Sequence, residues 1–149
     1  MKQWIMPALL AAVLTGAGAT AQAGDINPAA NPLLADKWQS RPLVVVTPSA
    51  DNPDYERMRG IVETQRDAFN DRDMVLYTVE GGSGMKADQA LTEAETDALL
   101  ASLGLNAKGP LTTVLVGKDG GKKVEQEGFV DPRQLFDTID NMPMRRARQ

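Results

Sequence analysis

The sequence predicts an α/β domain: a mixed four-stranded sheet flanked by helices, in the order β-α-β-α-β-β-α. Three observations carry this. Two apolar runs, Leu43-Val44-Val45-Val46 and Met74 to Val79, are joined by a stretch with helical apolar spacing, as in a parallel crossover. A tight turn, Lys118-Asp119-Gly120-Gly121-Lys122, makes the last two strands an antiparallel hairpin. Strand and helix patterns alternate along the chain up to that hairpin.

The chain starts with the three parts of a secretory leader. Lys2 supplies the positive end, Ile5 to Ala19 is an uncharged apolar stretch, and Ala21-Gln22-Ala23 is a small-x-small site. Cleavage is expected after Ala23, with a cut after Ala21 as the near alternative. The apolar run falls short of the roughly 20 residues a spanning helix needs, and no later segment is a transmembrane candidate. The expected organisation is a leader at 1–23, a mobile arm at 24–32, one domain at 33–143 and a basic tail at 144–149. The expected location is the periplasm or the medium.

Within the domain, Leu33, Leu34 and Trp38 are expected to cover one edge of the core. Leu43 to Val46 form the first strand, buried on both faces because no polar residue interrupts the run. The turn-rich loop Thr47 to Asp54 opens a helix capped by Asn52 or Asp51, with Pro53 near its first position. That helix places Tyr55, Met58, Val62 and Phe69 on one face, widened by Ile61. Arg59 and Glu63, four apart, are set to pair in solvent.

Asn70 to Asp73 break the helix before the second strand, Met74 to Val79. Glu80 to Asp88, with the run Gly81-Gly82-Ser83-Gly84, reads as a flexible loop. Thr92 with Glu95 is a capping box opening a helix whose inward residues are Ala94, Ala98, Leu99 and Leu103. Gly104 stops it. Thr112 to Val116 form the third strand, and Lys123 to Glu127 a charged edge strand. Asp131-Pro132 start the last helix, which turns Leu135, Phe136 and Ile139 inward.

This order matches a thioredoxin-like arrangement; a ferredoxin-like fold would need its first hairpin elsewhere. The chain also resembles the domain-of-unknown-function 4174 family. The resemblance is carried by Asn31-Pro32-Leu33, Trp38, Arg41 to Ser49, Arg72 to Val75, Val116 to Gly121 and Ile139 to Met144. It implies a thioredoxin-like, peroxiredoxin-related fold and kinship with domains of animal extracellular-matrix and sushi-repeat proteins. It implies no assigned chemistry.

Composition removes whole classes of function. The net charge of −4, or −5 once Lys2 leaves with the leader, argues against nucleic acid as a partner. There is no histidine, which removes the usual general base and metal ligand. There is no cysteine, so thiol–disulfide exchange and thiol-based peroxide reduction are excluded where this fold usually places them, at the first strand–helix junction. The fold's usual cis-proline position falls on Thr112, with Pro110 two residues earlier.

The candidate binding residues are Thr47, Ser49 and Asp51 in that junction, with Arg57 or Arg72 adding charge for a small anion at the helix start. Capping of the helix is the favoured role of the loop. A serine–lysine pair using Lys86, Lys118 or Lys122 is the weakest alternative. Asp51, Asp54, Asp71 and Asp73 match no calcium loop. Arg145, Arg146 and Arg148 are candidates for weak contact with an anionic surface. No cofactor is expected. The leading expectation is a non-catalytic binding or interaction module with an unknown protein or envelope component as partner. The alternative is an enzyme of unknown class acting at the loop after the first strand.

Overall fold

In a computed structural model, described for residues 25–147, the chain is an α/β sandwich built on a six-stranded mixed sheet. The expected leader, Gly24 and Arg148 lie outside the described residues. The strands are β1 (Arg41–Thr47), β2 (Met74–Glu80), β3 (Ser83–Lys86), β4 (Gln89–Ala90), β5 (Thr112–Val116) and β6 (Lys122–Glu127). Their order across the sheet is β4-β3-β2-β1-β5-β6. The helices are α1 (Leu33–Asp36), α2 (Pro53–Thr64), α3 (Arg66–Asp71), α4 (Glu93–Leu103), α5 (Pro132–Asp140) and α6 (Pro143–Arg146).

The all-apolar run of β1 has its reason in this order. All seven residues of β1 are buried, between β2 and β5 and under helices on both faces. Side chains alternate across a strand. Leu43 and Val45 therefore join a core with α2, α3 and α5, through Met58, Phe69, Phe136 and Ile139. Val44 and Val46 join the opposite core with α4, through Leu99 and Leu103. β1 runs parallel to β2 through α2–α3 and antiparallel to β5, and β5–β6 is the expected antiparallel hairpin. This mixed sheet is consistent with the thioredoxin-like arrangement.

The sheet has two strands more than expected, because the glycine run folds rather than loops. Gly81 and Gly82 have φ of 56° and 88°, so both central residues of a two-residue turn lie in the left-handed region. Such a turn matches the twist of antiparallel strands, and Glu80 pairs with Ser83. Gly84 serves differently. A Cβ there would sit 2.4 Å from Thr96 Oγ1, so its lack of a side chain lets α4 close onto β3.

Four further expectations change. The expected first helix divides at Gln65 (φ −108°, ψ 24°) into α2 and α3. Ala94 is exposed, and α4 instead buries Thr96 and Leu100 beside Ala98, Leu99 and Leu103. The segment read as a mobile arm carries a 3-10 turn, Pro28–Ala30, capped by the Asn27 side chain and packed on α4. Leu34 and Trp38 do not cover the core: they are 59% and 57% exposed, while Asp36 takes the inward place.

Candidate functional site

The loop after β1 is organised by its own hydrogen bonds. Thr47 is fully buried; its Oγ1 donates to Ser49 O at 2.8 Å and accepts from Ser49 N at 3.3 Å. Ser49 Oγ accepts from Asp51 N at 3.2 Å. Asn52 is the cap, its Oδ1 accepting from Asp54 N and Tyr55 N at 3.0 and 3.1 Å. Glu56 N donates to Asn52 O, and Pro53 has no N–H to offer. The first-turn amides that an anion would need are therefore already engaged within the loop.

The five residues proposed from sequence do not converge. Thr47, Ser49 and Asp51 share the loop. Arg57 lies along the next helical turn with its guanidinium 4.1 Å from the Phe129 ring centroid. Arg72 precedes β2, beside Met74, which pairs with Arg41 at the start of β1. At about 3.3 Å per residue, the six steps from Arg41 to Thr47 along β1 place Arg72 roughly 20 Å from Thr47. There it is bidentate to Asp140 at 2.8 and 3.1 Å and lies 4.3 Å from the Phe136 ring centroid. The acids divide likewise, with Asp51 and Asp54 at one end of β1 and Asp71 and Asp73 at the other.

What the fold does assemble is a groove of about 370 Å³ between α2–α3 and β2–β3. It exists because the extra hairpin widens the sheet beyond the helices that cover it. Arg59, Glu63 and Arg66 line its helical side, and Glu80 and Asp88 its strand side. Val62, Leu76 and Met85 supply apolar lining. At one end Tyr55 Oη donates to Glu80 Oε2 at 2.6 Å, and Arg59 Nη1 reaches the same oxygen at 3.4 Å. Burial first, then the hydrogen bond to Glu80, pushes the Tyr55 phenol up to about 12. It therefore stays protonated as the donor at neutral pH. Arg59 is thus paired across the groove, not with Glu63 as expected; Glu63 pairs with Arg66 at 2.7 Å.

The sequence profile of a family described as "Domain of unknown function (DUF4174)" matches residues 32–148. The chain belongs to the DUF4174 family. A comparison with curated proteins and with solved structures finds no match.

Two polar clusters of this DUF4174 domain had no signature in its sequence. Under α1, the buried Asp36 carboxylate accepts from Tyr77 Oη and, at 3.0 Å, from Lys86 Nζ. Burial and then that bond to Asp36 push the Tyr77 phenol far above its ordinary range. At the far end of the sheet, Arg145 is only 13% exposed and pairs with both Asp71 and Asp140. The first arginine of the expected free tail is therefore spent inside the fold, while Arg146 stays exposed. The pairing of Arg72 and Arg145 holds the Asp140 carboxyl below its ordinary range, the hydrogen bond from Arg72 contributing most. A second depression, of about 390 Å³, runs between the α4–β5 loop and β6, edged by Glu125 and Glu127. Among the described residues no group of three acidic, histidine or cysteine side chains is placed to hold a metal.

Proposed function

We propose that this domain is a non-catalytic binding module of the cell envelope that receives its partner in the groove between α2–α3 and β2–β3. The observation that carries the reading is the lining of that groove. Two guanidinium groups and the Glu63 carboxylate stand on the helical side, the Glu80 and Asp88 carboxylates on the strand side, and apolar side chains line the space with them. Exposed ion pairs such as Arg66–Glu63 contribute about 1 kcal/mol or less, so a partner can replace them at low cost. Pockets that bind specifically have this mixture of apolar area and a few oriented polar groups.

An enzyme working at the loop Thr47 to Asp54 is the competing reading, and the loop supports it less. Its hydroxyl groups are engaged in turns and caps. A serine nucleophile needs a base within hydrogen-bond reach. The chain has no histidine for that role and no cysteine to act instead.

Export rests on the leader pattern at residues 1–23. It is tested by recovering the protein from cell fractions and reading its N-terminus. Gly24 in the periplasm or medium is the expected result, and an intact Met1 in the cytosol overturns it. The groove is tested by photo-crosslinking side chains placed at Met85 and Arg66. A discrete adduct at both positions, lost in Arg59→Glu, supports the reading. Adducts only at a control position on α4, such as Asp97, refute it.

A further inference from the structure

We propose that the corner formed by Leu34, Lys37 and Trp38 seats this domain on an anionic lipid bilayer. The proposal is independent of the groove and rests on a different part of the molecule. Leu34 and Trp38 are the two most exposed large apolar residues described, at 59% and 57%. Single exposed apolar residues need no explanation, but Trp38 is held out by a rigid device. Its φ is +67°, a left-handed conformation that bulky side chains rarely adopt. A glycine would take this turn without steric cost. The turn nevertheless carries an indole, and it is anchored on both sides. Trp38 N donates to Lys118 O at 2.6 Å, and Gln39 N and Ser40 N each donate to Asp36 O at 2.8 Å. The Asp36 side chain is locked beneath by Tyr77 and Lys86.

The charges around the corner select the partner. Three carboxylates in or bonded to the neighbouring segments are matched by lysines: Asp36 by Lys86, Asp73 by Lys118 and Asp119 by Lys123. Lys37 makes no ion pair among the described residues, and its Nζ lies 5.9 Å from the Trp38 ring centroid. What faces outward is therefore an indole, an aliphatic side chain and an uncompensated cation. None of the three lines either groove described above. A projecting patch of this kind suits a surface that yields around it. Tryptophan favours the headgroup level of a bilayer, where its apolar ring and N–H are both satisfied. A lysine at that depth is attracted to anionic lipid. This replaces the tail as the main anionic-surface contact, because Arg145 is consumed by Asp71 and Asp140.

The test uses the chain from Gly24 to Gln149, which contains every described element and both cores. In it Trp38 is the single tryptophan, so its fluorescence reports on this corner alone. Vesicles containing phosphatidylglycerol should shift its emission to the blue, and added salt should reverse the shift. Phosphatidylcholine vesicles should leave it unchanged. Lys37→Gln should weaken binding about fivefold, the worth of one lysine near such a surface. Trp38→Ser should abolish co-sedimentation while circular dichroism stays that of the parent. Unchanged emission with phosphatidylglycerol vesicles overturns the proposal, as does an equal shift with phosphatidylcholine. A blue shift that follows protein concentration without lipid also overturns it, because the corner would then be a protein–protein face.

Discussion

Gly84→Ala tests the account of the glycine run most directly. The added Cβ would lie 2.4 Å from Thr96 Oγ1 and 3.1 Å from both Thr96 Cγ2 and Leu91 Cδ1. Thr96 cannot swing away cheaply. It is β-branched within α4, where its χ1 is restricted, it is 2% exposed, and its Oγ1 donates to Thr92 O at 2.9 Å. Either α4 lifts from β3 or the β2–β3 hairpin bends, and overpacking of this kind costs about 1–3 kcal/mol. Urea unfolding followed by circular dichroism would read the loss as a lower midpoint at unchanged slope. Thr96→Ala alone should cost about 1 kcal/mol through its lost methyl and hydroxyl contacts. In the double variant the two costs should not add, because alanine at 96 removes the atoms the new Cβ meets. A coupling of about 1 kcal/mol or more in the cycle is expected. A neutral Gly84→Ala, or strict additivity, would refute the claim that Gly84 is there for clearance.

Three further outcomes follow from the same contacts. Asn52→Ala removes the acceptor of two first-turn amides of α2 and should destabilise by about 1 kcal/mol in thermal or urea unfolding. Arg145→Ala should lower stability by about 1 kcal/mol because it breaks pairs to Asp71 and Asp140; a frayed tail would tolerate the change without effect. The third concerns acid. The folded Asp140 carboxyl is held below its unfolded value, which is about 3.9. Its contribution is therefore complete above that value and is lost as pH falls through the folded one. Asp140→Asn should flatten the stability-against-pH curve below about pH 4, and a slope equal to the parent's there would contradict the pairing.

Local chemistry was legible without the fold. The caps at Asn52, Thr92 with Glu95, and Asp131 act over two or three residues, so their signals lie side by side in the chain. The same holds for the left-handed stop at Gly104 and the hairpin before β6. The continuous apolar run of β1 declared burial on both faces because no position could face water. The family was legible too, since its motifs are short and ordered along the chain.

The groove was not legible. Glu80 follows Tyr55 by 25 residues and Arg59 by 21, and only the parallel register of β1 with β2 brings them together. The proposed anion site failed to assemble for the same kind of reason. Arg72 and Thr47 bracket opposite ends of the β1–β2 pair, so no local pattern could reveal their separation. The glycine run was ambiguous because glycine permits both a loose loop and a tight left-handed turn; pairing of β3 with β2 decided for the turn.

The absence of cysteine and histidine is a property of the sequence alone, and it removes thiol and imidazole chemistry whatever the fold. The order of β1, α2, β2, α4, β5, β6 and α5, the caps and the core residues of β1 and α5 also came from the sequence, because each depends on neighbours within a turn or on one side chain's dislike of water. Tertiary structure decided which charges are spent and which remain. Asp36 is buried against Tyr77 and Lys86, Arg145 is tied to Asp71 and Asp140, and Trp38 stands exposed beside Lys37. Those outcomes depend on register and packing between residues far apart in the chain.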